Sequence, residues 1–308
     1  MTRAVVFAYH DVGVRCLRVL LGQGVEVPLV VTHEDAAGEL IWFDSVERHA
    51  RWHGLEVATP ANPNSPAFLA RVAGARPDFL FSFYYRELLS AQLLALALRG
   101  AYNMHGSLLP KYRGRVPVNW AVLHGESRTG ATLHAMTVRP DAGDIVAARE
   151  VPILPDDTAI EVFRKVCVAA ELTLHGALPG LLAGTAVLQP QDPALASYFG
   201  RRTRADGAID WRLGVTGVHN LVRAVAPPYP GAYARAAGLP LRVLRTLTAA
   251  GPRAASPELR WVEGELRALC PDGALRLLEF ELDGAIRDPA AFRARFGAEA
   301  LPLAGGQP

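Results

Sequence analysis

The segment TRAVVFAYHDVGVRCLRVLLGQGVEVPLVV, residues 2–31, decides the fold. Ala4–Ala8 is an unbroken apolar run between polar neighbours, the pattern of a strand covered on both faces of a parallel sheet. Val14–Leu21 sets its apolar residues on one helical face, and Gly22 and Gly24 close that helix. Val25–Val31 is a second strand. The alternation continues outward. Ser45–Trp52 reads as a helix ended by Gly54, Leu55–Ala58 as a strand and Ser65–Ala73 as a helix. Phe79–Phe83 is a strand, Ser90–Leu98 a helix capped by Ser90, and Ala101–Met104 a strand. The expected architecture is α/β, a doubly wound parallel sheet whose ligands sit at the carboxyl ends of its strands.

Beyond this run, Ala131–Val138 and Ile145–Pro152 read as strands, and Thr158–Leu182 as a long helix that completes a first domain, residues 1–188. Pro190, Pro193 and Gly200 mark residues 189–206 as a linker. Residues 207–300 hold shorter β-rich segments, such as Leu241–Leu247, Arg260–Leu269 and Ala274–Leu282. They predict a small all-β domain, a partly open barrel. Residues 301–308 read as a frayed tail.

Composition narrows the function. The chain has 308 residues and a net charge of +2, with its basic residues interspersed among acids. A nucleic-acid binder concentrates its basic charge on one face, so no nucleic-acid partner is expected. Cys16, Cys167 and Cys270 are widely spaced and lack a CxxC pair, which predicts a reducing, cytoplasmic setting with neither disulfide nor zinc site. The N-terminus reads as a strand rather than a signal peptide, and no apolar segment is expected to span a membrane. Gly22-Gln-Gly24 follows its helix and lacks the third glycine, so it is no dinucleotide fingerprint.

The chemistry concentrates in NMHGSLLPKYRGR, residues 103–115, followed by Asp141 in RPDAGD. Asn103 offers an amide donor, His105 an imidazole and Asp141 a carboxylate, the set that acyl transfer to an amine requires. An imidazole beside a carboxylate is expected to have a raised pKa, which suits a proton donor. Ser107 lacks a nucleophile elbow and reads as a loop-shaping hydroxyl. Two readings stand for several other residues. His10 and Asp11 contact a ligand, or Asp11 caps the first helix. Tyr84 and Tyr85 stack on a ligand, or finish a buried strand. Arg201 and Arg202 bind phosphate, or make a salt bridge between domains. His49 and His53 share a helix face and lack a third ligand.

The Asn-x-His-x-Ser-Leu-Leu-Pro core with its distal Asp resembles the folate-dependent formyltransferases. The strings FAYHDVG (7–13), FSFYYR (81–86), LLPKYRGR (108–115) with Pro117, Asn119 and Trp120, FGRRT (199–203) and VRAVAPPYPGA (222–232) are similar to the nucleotide-sugar N-formyltransferase branch. Within it they most resemble the formyltransferase portion of a bifunctional polymyxin-resistance enzyme. The likeness runs from residue 4 to about residue 235. It implies a Rossmann-like formyltransferase domain followed by a barrel-like one. It also implies 10-formyltetrahydrofolate as co-substrate, with no metal and no NAD. The implied acceptor is UDP-4-amino-4-deoxy-L-arabinose, in lipid A modification.

By the same resemblance Asn103, His105 and Asp141 are catalytic, with His105 the proton donor. Arg115, Thr137, Val138, Arg139, Pro140 and Asp141 line the formyl-folate site. Glu87, Leu88 and Leu89 add contacts, Glu87 standing where that enzyme has a histidine. That enzyme continues into a dehydrogenase–decarboxylase half, so the expectation is that another polypeptide supplies the oxidative step or that the biology differs. Methionyl-tRNA formyltransferase, another nucleotide-sugar N-formyltransferase, a folate hydrolase and a folate-binding regulator are the competing readings. The oligomeric state is left open, a homodimer included.

Overall fold

The structure, a computed structural model, describes residues 1–35, 38 and 40–306. The chain divides into two compact units: Met1–Pro117, Arg128–Val151 and Arg164–Gly200 form the first, and Val118–Ser127, Pro152–Phe163 and Arg201–Pro308 the second.

The first unit follows the expected alternation. Its elements are β1 (Arg3–Ala8), α1 (His10–Gly22), β2 (Glu26–Val31), α2 (Val46–Trp52), β3 (Val57–Ala58), α3 (Pro66–Gly74), β4 (Phe79–Phe83), α4 (Ala91–Leu94), β5 (Ala101–His105) and β6 (Arg113–Gly114). After α5 (Pro117–Leu123), which belongs to the second unit from Val118 on, come β7 (Arg128–Ala135), β8 (Ile145–Pro152) and α6 (Ala159–Ala183), the last of which belongs to the first unit from Arg164 on. The Ser45, Ser65 and Ser90 hydroxyls accept the backbone N–H of Arg48, Phe68 and Leu93, fixing where α2, α3 and α4 begin.

The sheet order is β3-β2-β1-β4-β5-β7-β8. From β3 to β5 neighbours run parallel, and Ala4 to Ala8 are fully buried, as a strand covered on both faces must be. One face packs Val5, Phe7, Leu29, Val31 and Leu80 against Phe68, Val72 and Leu93. Each such buried side chain stabilises the fold by roughly 1.5–3 kcal/mol.

Three expectations for this unit need correction. The sheet is mixed, because β7 runs antiparallel to β5. Residues 189–206 are not a free linker. Ile145 and Gln189 exchange both backbone hydrogen bonds, and β9 (Tyr198–Phe199) pairs with β6. Helix α6 has 25 residues and is long and apolar enough by composition to cross a membrane, contrary to expectation. Nearly half of its apolar window is buried inside the protein, including Val166, Ala170, Leu174 and Leu178.

The second unit holds α7 (Gly214–Val225), β10 (Ala232–Ala236), β11 (Leu239–Ala249), β12 (Glu258–Val262), β13 (Glu265–Cys270), β14 (Gly273–Leu282), α8 (Pro289–Phe296) and β15 (Leu301–Gly305). Its strands form a closed barrel, β10-β11-β14-β13-β12-β15, rather than a partly open one. It is not all-β, since Val215, Val218, Leu221, Val222 and Val225 put the apolar stripe of α7 into the barrel's core. The single strand expected over Arg260–Leu269 is a hairpin, because Glu263 and Gly264 take φ of 49° and 89° and turn the chain between β12 and β13.

The closing strand lies in the segment expected to fray. Leu301 pairs with Leu259, and Leu303 with Ala236, with both leucines buried. Residues 307 and 308 of that expected tail lie outside the described residues. Burial at 3 % exposure predicts that Leu301→Ala costs roughly 2–5 kcal/mol. Deleting residues 301–308 should likewise lower the urea midpoint, and an unchanged midpoint in both variants would return the segment to a frayed tail.

Candidate active site

Strand β5 ends in Asn103, Met104 and His105, and Met104 turns into the core while the other two face the opposite way. The chain then folds back over the strand end. Thr132 Oγ1 donates to Ser107 O and accepts from Leu109 N, and Ser107 Oγ donates to Lys111 O. Ser107 is the loop-shaping hydroxyl expected. Gly106 is required at the start of this loop, since a Cβ there would collide with the Tyr84 hydroxyl. Tyr84 itself holds φ at 60° at the end of β4.

Asp141 lies in the loop joining β7 and β8 with φ at 55°, a left-handed conformation costly for a side-chain-bearing residue. Gln191 fixes the loop by donating to Asp141 O at 3.0 Å and Gly143 O at 2.6 Å. The buried Arg113 guanidinium donates in turn to Gln191 Oε1. The Asp141 carboxylate thereby faces back toward β5. Its Oδ2 accepts from Gly114 N at 2.8 Å, and its Oδ1 lies 3.6 Å from both His105 Nδ1 and His134 Nε2. Gly114 has φ of 99°, and a Cβ there would strike Phe199 O, so the donor to Asp141 must be a glycine N–H.

Hydrogen-bond partners fix the tautomers. A carbonyl can only accept, so His105 donates through Nε2–H to Tyr112 O at 2.8 Å and turns Nδ1 toward Asp141. Burial holds the Asp141 carboxyl up, but the His105 and His134 imidazoles and the Gly114 N–H outweigh it and keep it well below the usual carboxylate range. Burial also lowers His105, outweighing the raising effects of Asp141 and the Tyr112 carbonyl. This corrects the sequence expectation of a raised value. Desolvation of a fully enclosed imidazole exceeds the help of a carboxylate 3.6 Å away.

The structure thus brings Asn103, His105 and Asp141 together and adds His134. The sequence reading placed His134 in a strand and gave it no role. In antiparallel register it stands directly across from Asn103, and Asn103 Nδ2 lies 3.1 Å from His134 Nε2. A polar residue inside an apolar strand run was the available signal. Tyr112, Arg113 and Gln191 act through backbone atoms and bracing contacts that no short motif encodes.

Other expected residues are placed as follows. Thr137 Oγ1 donates to Arg139 O, Val138 is exposed, and both precede Pro140 in the Asp141 loop. Arg115 Nη2 approaches Arg86 O at 3.5 Å. Glu87 and Leu88 are exposed and Leu89 is buried, on a turn that Asn64 pins through Leu88 O and Ser90 N. Tyr85 stacks on His33 at 4.1 Å, and burial together with Glu87 pushes its hydroxyl up to about 12. His10 opens α1 and stacks on Phe43 at 3.9 Å. Asp11 does not cap its own helix; it accepts from Asp44 N. His49 pairs with Asp44, and His53 ends α2.

Arg201 and Arg202 belong to the second unit. Arg201 is exposed. Arg202 lies 4.9 Å over the Trp120 ring and donates to Asp206 O. Its Nη1 is buried without a hydrogen-bond partner among the described residues.

The sequence matches the formyl transferase family over residues 19–187 and the formyl transferase C-terminal domain over residues 202–294. Among solved structures, the N-formyltransferase of Helicobacter canadensis in complex with folinic acid and dTDP-3-aminofucose is 19 % identical, with TM-score 0.73, covering 90 % of this chain and 99 % of that one. WlaRD, a sugar 3N-formyl transferase solved with dTDP and 5-N-formyl-THF, is 18 % identical, with TM-score 0.72 and coverage of 90 % and 97 %. A 4-N formyltransferase from Francisella tularensis is 20 % identical, with TM-score 0.61 and coverage of 75 % and 91 %.

The electrostatics give a test that needs no substrate. Histidine-resolved NMR titration should show His105 gaining its proton below the ordinary imidazole value of about 6.5. Asp141→Asn removes the charge that favours the imidazolium and should move that titration lower still. An upward move would overturn the assignment.

Proposed function

Because the chain belongs to the formyl transferase family, we propose that it transfers the formyl group of 10-formyltetrahydrofolate to the amine of a nucleotide-linked amino sugar. The observation that carries this reading is the Asp141 carboxylate seated between two imidazoles, beside the Asn103 amide, at the end of β5. The relatives solved with folinic acid and dTDP-3-aminofucose, or with dTDP and 5-N-formyl-THF, support the substrate class. The motif resemblance supports UDP-4-amino-4-deoxy-L-arabinose as acceptor, and with it a part in lipid A modification and polymyxin resistance. Reduced cysteines and a cytoplasmic location accompany it; Cys16, Cys167 and Cys270 are free thiols.

In this reaction the sugar amine attacks the formyl carbon. An Asn103 N–H holds the oxyanion, since a preorganised donor aimed at developing charge is a large catalytic term. His105 begins neutral, with Nδ1 open to the amine proton and Asp141 ready to stabilise the imidazolium that forms. The same proton then passes to the folate nitrogen as the tetrahedral intermediate collapses. Atoms balance: N–C bond formation to the amine accompanies N–C cleavage from the folate. The exposed apolar side chains of Leu88 and Val138, with Arg115, offer surfaces for the folate's rings and carboxylates. Arg202, with its unpartnered Nη1, is a phosphate ligand in this reading.

Two measurements test the proposal. With limiting formyl-folate, UDP-4-amino-4-deoxy-L-arabinose should be formylated in competition with a dTDP-linked 3-amino sugar and with methionyl-tRNA. Label on the dTDP sugar would change the acceptor, and label on the tRNA would overturn the sugar assignment. The acid limb of kcat/KM should lie below about 6.5, since His105 must start unprotonated. His105→Ala should lower kcat by about 10²–10⁴-fold while formyl-folate still binds.

A further inference from the structure

We propose that His134 is a positioning residue that decides which end of the Asn103 amide meets the reacting formyl oxygen. The inference rests on the formyl-transfer reading and deepens it.

His134 is buried, at 2 % exposure, and its Nδ1 lies 2.8 Å from Ala135 O. That carbonyl can only accept, so Nδ1 carries the proton and Nε2 carries the lone pair. The lone pair faces Asn103 at 3.1 Å. An amide oxygen in that place would set two acceptors against each other, so the Asn103 NH2 group must face His134. One of its two N–H bonds is then spent on the imidazole. The other points elsewhere in the amide plane, as a donor whose direction is fixed before substrate arrives. A flipped amide would present its oxygen lone pairs and repel an oxyanion.

The chain of causes is short: Ala135 O orients the His134 tautomer, His134 orients Asn103, and Asn103 contacts substrate. Asp141 lies beside this chain of contacts without a hydrogen bond to it. Its Oδ1 lies 3.6 Å from the same Nε2, so a swing of the imidazole away from Asn103 would also disturb the carboxylate serving His105.

Side chains that keep one half of the imidazole's bonding test this directly. Asn at position 134 can still donate toward Ala135 O but does not reach the Nε2 position. Gln places an acceptor there. His134→Asn should lower kcat about 10²-fold, the usual effect of losing one oxyanion donor, with KM for formyl-folate nearly unchanged. His134→Gln should recover most of that loss. In an Asn103→Ala background, adding His134→Asn should cost at most a few-fold more, because residues acting as a unit are non-additive. Multiplicative losses in the double variant, or equal activity in the Asn and Gln variants, would overturn the proposal.

Nitrogen-15 NMR of histidine-labelled resting enzyme supplies a readout without chemistry, and one that folding defects in the variants do not affect. Protonated Nδ1 and unprotonated Nε2 on His134 are expected, and the opposite tautomer would sink the idea. A wild-type protein that transferred no formyl group would defeat the functional reading, while the tautomer experiment would still decide the positioning role.

Discussion

The Asp141 carboxylate is the constraint on which the rest of the site depends. It is an ion largely removed from water, and such a charge persists only where donors and polarisable partners replace its hydration. The fold supplies the Gly114 N–H as donor and brings the His105 and His134 imidazoles to 3.6 Å, all from separate stretches of chain. Each imposes a requirement further out. Gly114 must approach Phe199 O too closely for a side chain. Asp141 must adopt a left-handed backbone, which costs of order 1–3 kcal/mol and has to be held by its surroundings. Gln191 and Arg113 do that holding, so the stretch after α6 braces the Asp141 loop.

The reversal of β7 is what makes the site compact. Had β7 continued the parallel pattern, its carboxyl end would lie beside that of β5, but Asn103 would face no cross-strand partner in antiparallel register. Running antiparallel, β7 sets His134 opposite Asn103 and Thr132 opposite His105, with paired side chains on one face. Thr132 ties down the loop after His105 and His134 ties down the amide. One strand therefore supports both Asn103 and His105. The left-handed residues Tyr84, Tyr112 and Asp141 gather around the same strand end, so backbone strain is concentrated where side chains must be aimed.

Much of this was legible in the sequence, and the rest failed for identifiable reasons. Strand β1 was readable because a continuous apolar run of strand length leaves few alternatives. The serine caps located the starts of α2, α3 and α4. Asn103 and His105 stood out because they share the dense motif 103–115, and Asp141 was joined to them through the resemblance. His134 did not stand out, since its role depends on strand register, a long-range property that no local window contains. Barrel closure was missed for the same reason: Leu301-Pro-Leu303 has little strand character until β10 and β12 offer it edges. Helix α7 and the Glu263–Gly264 turn are different, because their apolar spacing and turn residue were present locally and were outweighed by an all-β reading.

The direction of the His105 shift follows from burial more than from its partner, and it changes the order of events in the proposed reaction. A carboxylate 3.6 Å away attracts an imidazolium, but a fully enclosed imidazole loses its hydration when charged, and that loss is larger here. In the proposed reaction His105 therefore starts neutral with an open Nδ1, an arrangement suited to accepting a proton rather than offering one. Attack by the amine supplies that proton at the moment negative charge appears on the formyl oxygen. The imidazolium then exists only while Asp141 and the nascent oxyanion both favour it, so its stabilisation is confined to the high-energy part of the path, where it lowers the barrier without tightening ground-state binding. Until the proton moves, the oxyanion's stabilisation falls to Asn103. A neutral amide can serve in that role only if its N–H is already aimed, and in the proposed reaction that aim is the part assigned to a single histidine across the strand pair.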